Sequence, residues 1–265
     1  MEYQKYNIRL TLAYDGTAYH GFQRQAAEHG RTVQGTLEDT WRRLVGEEIK
    51  ISTAGRTDAG VHACGQVINF RSSMRIPWDK LPKAFNSLLP RDIRIVAAME
   101  AEPDFDARRS ARWKRYDYCI DNQSIPDVLR RLYACHYPVP LQLDRMRQAA
   151  QALEGRHDFR AFAAAGGSSK TFTRTLHACR VERQAQQIRI TCIGDGFLYN
   201  MVRIIAGTLL YAGAGKLAPQ DIPHILVSGK RVRAGKTMPP HGLRLTYVHY
   251  GPEGPAEIFP EVYEG

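Results

Sequence analysis

Apolar residues in this chain recur with two different periods, and the order in which those periods follow one another limits the folds open to it. Ile8, Leu10, Leu12 and Tyr14 alternate with Asn7, Arg9, Thr11 and Ala13, the pattern of a strand with one buried face. Asp15-Gly16 closes that run with a turn signal. Val33, Leu37, Trp41, Leu44 and Val45 then recur at helical spacing behind Thr32, a predicted N-cap. Further on, the pattern predicts a short strand over 67–70, a helix through Leu81, Phe85 and Leu88, and a strand over 93–96.

The second half repeats this style. Tyr116, Tyr118 and Ile120 share one strand face, and Leu143, Met146, Ala150 and Leu153 form a helical stripe that stops at Gly155. Ile188, Ile190 and Cys192 alternate, Gly194-Asp195-Gly196 is expected to lead into a helix from about Phe197, and a last strand is predicted over 243–250. Strands and helices mix without the strict alternation of a doubly wound sheet. That predicts an α+β fold with mostly antiparallel pairing and helices on one face. Two halves of similar content predict an N-terminal subdomain over 1–107 and a C-terminal subdomain over 108–265, with a cleft between them.

Composition narrows the class. At 265 residues, 43% hydrophobic and 24% charged, the chain is long enough for a real core and ordinary enough to be globular. Lys plus Arg outnumber Asp plus Glu by 37 to 27, and the resulting +10 favours a phosphate-rich partner. The five cysteines are scattered and none forms C-x-x-C, so neither a disulfide framework nor a zinc site is expected. The chain has no run approaching the roughly 20 apolar residues of a membrane span, and its first residues do not read as a signal peptide. The expectation is a reduced, cytoplasmic protein without metal or cofactor. Ala234-Gly235-Lys236-Thr237 imitates the end of a phosphate-binding loop. That motif needs a glycine where Lys230 stands, so the segment is read as a basic loop.

The segment most suggestive of chemistry is Ala54-Gly55-Arg56-Thr57-Asp58-Ala59-Gly60-Val61-His62. It sets one carboxylate between glycines, with a cation two positions upstream. Glycines in such a loop let the backbone take unusual φ values or let another molecule approach. Taken alone, the segment also reads as a surface turn. Its company decides. Tyr14-Asp15-Gly16-Thr17, Gly21-Phe22-Gln23-Arg24-Gln25, Thr32-Val33-Gln34-Gly35-Thr36-Leu37-Glu38, Asn86-Ser87-Leu88-Leu89-Pro90-Arg91-Asp92-Ile93, Arg115-Tyr116-Asp117-Tyr118, Gly196-Phe197-Leu198-Tyr199-Asn200-Met201-Val202-Arg203 and Pro239-Pro240-His241-Gly242-Leu243 follow in order along nearly the whole chain. With them the sequence resembles the tRNA pseudouridine synthase I family.

The resemblance implies isomerisation of uridine to pseudouridine at positions 38, 39 and 40 of the tRNA anticodon arm, without cofactor or metal. It also implies paired α+β subdomains joined by a continuous sheet with the catalytic cleft between them, and a homodimer. Asp58 matches the family's nucleophile, Arg203 the arginine that pairs with it, and Tyr116 the active-site tyrosine that stacks on the uracil. Tyr118, on the same strand face, serves as the core counterpart. Arg56 matches a residue implicated in displacing the target base. RNA contacts are expected from Arg56, Arg24, Arg108, Lys114, Lys170 and Arg174, acting as a field. Phe22, Asp106, Asn200 and Met238 depart from the family pattern, and none is expected to touch Asp58, Arg203 or Tyr116. A non-catalytic RNA-binding protein of the same fold is the alternative. A glycosidase-like reading would need a second acid, for which Asp195 is the one candidate.

Overall fold

The structure, a computed structural model, describes residues 5–25 and 30–263. It divides into two compact units, Met1–Ala111 with Leu245–Tyr250, and Arg112–Arg244 with Gly251–Gly265.

In the first unit, β1 (Tyr6–Tyr14) is followed by α1 (Val33–Val45), β2 (Ser52–Thr53), β3 (His62–Ser72), α2 (Leu81–Leu88) and β4 (Ile93–Ala101). β1 lies between β3 and β4 and is antiparallel to both, with Leu10 opposite Ile68 on one side and Ala98 on the other. β2 pairs antiparallel with β3 at its Ile68–Asn69 end. The alternation in β1 does what it predicts: Ile8, Leu10, Leu12 and Tyr14 are buried. Beside them, Trp41 of α1 meets Phe70 of β3 and Phe85 of α2 edge-on, with centroids 4.8 and 5.5 Å apart. Thr32 caps α1 by accepting the Gly35 N–H, and Gly46 ends it in a left-handed conformation. Both outer strands exceed the expected lengths. β3 begins at His62 rather than near Val67, because Ala63, Gly65 and Gln66 are already buried.

The second unit contains β5 (Trp113–Asp121), β6 (Cys135–His136), α3 (Leu143–Gln151), β7 (Gly155–Asp158), β8 (Thr173–Gln184), β9 (Gln187–Gly194), α4 (Met201–Gly213) and α5 (Ile222–Ser228). After β10 (Leu243–His249), two short helices, α6 (Pro255–Ile258) and α7 (Pro260–Tyr263), end the described chain. β5 pairs antiparallel with β9, β9 with β8, and β8 with β7; the short β6 runs parallel to β5. The fold is therefore mixed α+β with mostly antiparallel pairing. Tyr116, Tyr118 and Ile120 of β5 are buried, as are Ile188, Ile190 and Cys192 of β9. α4 is buried on almost every side and packs closely on α3, so a Cβ at Gly213 would stand 2.7 Å from Met146 Cγ.

The expected helix from Phe197 starts four residues later, at Met201. Asn200, at φ 60°, holds the left-handed conformation that separates the preceding turn from the helix. The β7–β8 pair was not predicted. The apolar positions of β8 (Leu176, Ala178, Cys179 and Val181) break strict alternation where its register against β9 shifts between Leu176 and Ala178.

Candidate active site

The loop that carries Asp58 is held from several directions. Thr57 O accepts the Phe22 N–H at 3.0 Å, Tyr19 O accepts the Gly60 N–H at 3.3 Å, and Asp58 O accepts the Val61 N–H at 3.1 Å. Side chains add a second set of ties. The Tyr14 hydroxyl lies 2.7 Å from Thr57 Oγ1, and Gln66 Nε2 donates to Gly55 O at 2.7 Å and reaches Tyr14 Oη at 3.4 Å. Gln66 is fully buried, so these bonds are not exchanged with water. At the far end of the loop, Gly16 N–H donates to His62 Nδ1 at 3.0 Å. The same Nδ1 lies 3.2 Å from Asp15 Oδ1. Burial pushes the Tyr14 phenol up to about 12 against the opposing hydrogen bonds to Thr57 and Gln66.

Two glycines make this packing possible. Gly21 sits at φ +88°, and a Cβ there would meet Thr57 O at 2.9 Å. Gly16 faces the Val61 carbonyl so closely that any Cβ would overlap it. The Tyr14-Asp15-Gly16 and Gly21-Phe22 motifs thus act as a backbone cradle for the Asp58 loop. Within it, Asp58 is half-buried and Arg56 exposed.

Arg203 and Tyr116 belong to the second unit. Arg203 stands in the first turn of α4, among Met201, Val202, Ile204 and Ile205, all buried. Its Nε donates to Met238 O at 2.6 Å and its Nη1 to Asn200 Oδ1 at 2.6 Å. Tyr116 is 8% exposed, and its ring packs edge-on against Phe197 at 5.0 Å. Tyr118 is fully buried, donates its hydroxyl to Pro239 O at 2.9 Å and lies against Gly242. Burial, first of all, raises its pKa strongly. Tyr118 is a core residue.

Three departures from the family pattern lie closer to these residues than expected. Asn200 and Met238 both bond directly to the Arg203 guanidinium. Phe22, fully buried with its ring 6.2 Å from that of Tyr14, holds the carbonyl next to Asp58. Asp106, the fourth, caps its own turn: Oδ1 accepts the Arg108 and Arg109 N–H groups, and Oδ2 accepts the Ser52 hydroxyl. Asp195, the one candidate for a second acid, accepts the Thr175 N–H at 3.0 Å across the end of the β8–β9 pair.

The basic residues differ in setting. Arg24 is bound to Glu38 at 2.8 Å and reaches Asp39 at 3.4 Å, and the bond to Glu38 is the main cause of its raised pKa. Arg174 Nη1 donates to Thr173 O at 2.6 Å and folds back on its own loop. Arg108 and Lys170 are exposed, and Lys114 is half-buried on β5. Among the described residues, no group of three or more His, Cys, Asp or Glu side chains could hold a metal, and no helix is long and apolar enough to cross a membrane.

Comparison with known proteins turns this geometry into an assignment. Residues 11–108 and 149–251 match the family described as tRNA pseudouridine synthase. The chain belongs to that family. The two matched stretches contain Asp58 and Arg203, while Tyr116 lies between them. The chain is 48% identical over 244 residues to tRNA pseudouridine synthase A of Caldicellulosiruptor bescii, covering 92% of this chain and 99% of that protein. The Moorella thermoacetica enzyme of the same name is 48% identical over 243 residues, with the same shares covered. That of Acetivibrio thermocellus is 45% identical over 244 residues, again covering 92% and 99%. In this synthase the residues missed by sequence reasoning are Gln66 and the Tyr14–Thr57 pair. The available signal was an amide, Gln66, placed directly before Val67 and Ile68 of the predicted strand.

Proposed function

We propose that this synthase isomerises uridines at positions 38, 39 and 40 of the tRNA anticodon arm, with Asp58 as nucleophile. The observation that supports it most is the fixing of the Asp58 loop. Gly55 O, Thr57 O, Thr57 Oγ1 and the Gly60 N–H are each engaged by residues outside the loop, so the carboxylate is held on a frame that has little freedom to move. Such a frame suits a nucleophile that must meet a reacting atom in one orientation.

The reaction breaks the C1′–N1 bond, turns the uracil and joins C5 to C1′. N1 gains a proton and C5 loses one, so the overall change is an isomerisation that consumes no oxidant, reductant or second substrate. Neither sugar nor base leaves readily without help, and a carboxylate can carry one fragment while the base turns. In this reading the guanidinium of Arg203 holds Asp58 ionised and oriented. Tyr116, backed by Phe197, offers its ring to the displaced uracil. Drawing a stacked uridine out of the anticodon arm costs roughly a few kcal/mol, and in this reading Arg56, which is exposed, offsets part of that by filling the space it leaves. Lys114, Lys170, Arg24, Arg108 and Arg174 contribute to the field that attracts the RNA backbone. The enzyme works in the cytoplasm as a homodimer.

The test is to incubate the purified protein with unmodified tRNA and map pseudouridine by position. Product confined to positions 38 to 40 is the expected result, and product elsewhere or none at all would refute the reading. Gel filtration at twice the mass of one chain is expected, and elution as a monomer would remove the dimer.

A further inference from the structure

We propose that the segment 231–238, whose Ala234-Gly235-Lys236-Thr237 imitates a phosphate loop, is a strap that positions Arg203, with Thr208 and Arg231 as its positioning residues. This rests on the role given to Arg203 above. A phosphate loop needs backbone N–H groups open to a ligand, but here the Gly235 N–H is consumed by Thr208 Oγ1 at 2.8 Å. The Thr208 hydroxyl donates its own proton to Ile204 O at 2.8 Å, so its lone pairs are left to face Gly235.

The strap crosses α4 backbone to backbone. A Cβ on Gly207 would overlap Lys236 O, and a Cβ on Gly235 would overlap Gly207 C and Thr208 N. Only glycine fits at either position. Arg231 closes the strap on itself, donating from Nη1 to Gly235 O at 2.8 Å and from Nη2 to Thr237 Oγ1 at 3.1 Å. Three residues beyond Gly235 comes Met238, which is buried. Its N–H donates to Arg203 O at 3.2 Å, and its carbonyl accepts Arg203 Nε at 2.6 Å.

The position of the Met238 carbonyl therefore depends on the Gly235–Thr208 crossing, with little slack between them. That carbonyl and Asn200 Oδ1 fix the plane of the guanidinium at two of its donors. A planar fork fixed in this way presents its Nη edge in one direction, which is what a bidentate grip on a carboxylate demands. Loosening the crossing would tilt the fork while leaving the charge in place.

The test is a double-mutant cycle read in single-turnover pseudouridine formation. Thr208→Val keeps the side-chain volume but offers Gly235 no acceptor. Its rate constant is expected to fall roughly tenfold or more, with tRNA affinity changed by less than about twofold. Thr208→Ser, which restores the hydroxyl, is expected to recover the rate. In an Arg203→Lys background, Thr208→Val is expected to have no further effect, because the fork it positions is gone. If Thr208→Val fails to fold by circular dichroism, Arg231→Lys goes through the same cycle. It keeps the charge and loses the grip on both Gly235 O and Thr237 Oγ1. A wild-type rate in Thr208→Val, or an equal loss in both backgrounds, would overturn the strap. A wild-type rate in Arg203→Lys alone would instead overturn the role given to Arg203.

Discussion

The Tyr14 hydroxyl lies 2.7 Å from Thr57 Oγ1, so the last residue of the first strand is tied to the residue immediately before Asp58. Both groups are buried, and removing the Tyr14 hydroxyl takes away the partner of Thr57 Oγ1. Tyr14→Phe is expected to cost about 1 kcal/mol of stability and to slow catalysis through a looser Asp58 loop. The stability cost depends on pH. The folded pKa of Tyr14, about 12, lies above its usual value, so its contribution is intact below the ordinary phenol pKa and is lost as pH rises through the folded one. Urea unfolding of both proteins, at neutral pH and in this alkaline window, is expected to show the gap between them closing.

Asp106 supports stability with the opposite pH dependence. Burial pushes its carboxyl up, but the Arg109 N–H, the Ser52 hydroxyl and the Arg108 N–H together outweigh burial and hold it below the usual carboxylate range. Its contribution is therefore present above the unfolded pKa and lost as pH falls through the lower folded value. Asp106→Ala is expected to lose about 1 kcal/mol at neutral pH, a typical capping cost. That difference is expected to shrink on acidification below about pH 4. Thermal melts across the acid range would show it.

Asp58→Asn is expected to abolish pseudouridine formation while tRNA affinity, measured by filter binding, stays within about threefold of wild type. Turnover close to wild type would rule out Asp58 as nucleophile. Arg203→Lys keeps a charge but has no fork, and its rate is expected to fall on the order of a hundredfold.

Gly21 and Gly46 provide a matched pair. Both have positive φ, but a Cβ at Gly21 would press on Thr57 O, while at Gly46 nothing lies within 4 Å. Gly46→Ala is expected to cost about 1 kcal/mol of stability and leave activity unchanged. Gly21→Ala is expected to cost more and to reduce kcat, since its strain falls on the Asp58 loop. Equal kcat in the two variants would separate the cradle from catalysis.

Much of this was legible in the sequence because period and burial agree where an element packs on one side. β1, α1 and α2 follow their patterns, and Thr32 caps where a threonine before a helical stripe should. The start of α4 was misread because Phe197 and Leu198 are apolar enough to extend its stripe, and nothing local announces that Asn200 takes positive φ. The β7–β8 pair leaves little trace in the sequence because β7, Gly155–Asp158, carries no apolar side chain and the register shift of β8 against β9 breaks the alternation of β8. In the candidate site, the motifs pointed to Asp58, Arg203 and Tyr116. They did not show which neighbours hold them, because Asn200, Met238 and Gln66 act through backbone carbonyls and buried amide contacts that leave no periodic trace. Asn200 and Met238, expected from the family pattern to lie apart from the site, both hold Arg203.

Residues Leu245–Tyr250 belong to the unit that otherwise ends at Ala111, and they lie so close along β3 that a Cβ on Gly65 would overlap Thr246 O. A chain emerging from the ribosome therefore makes the Asp58 loop early but must wait until almost its whole length has been synthesised before the strand beside β3 is in place. A truncated product that stops before Leu245 would carry the acidic loop on a sheet with an uncovered edge. Completion of the unit that bears Asp58 thus waits on nearly the last residues of the chain.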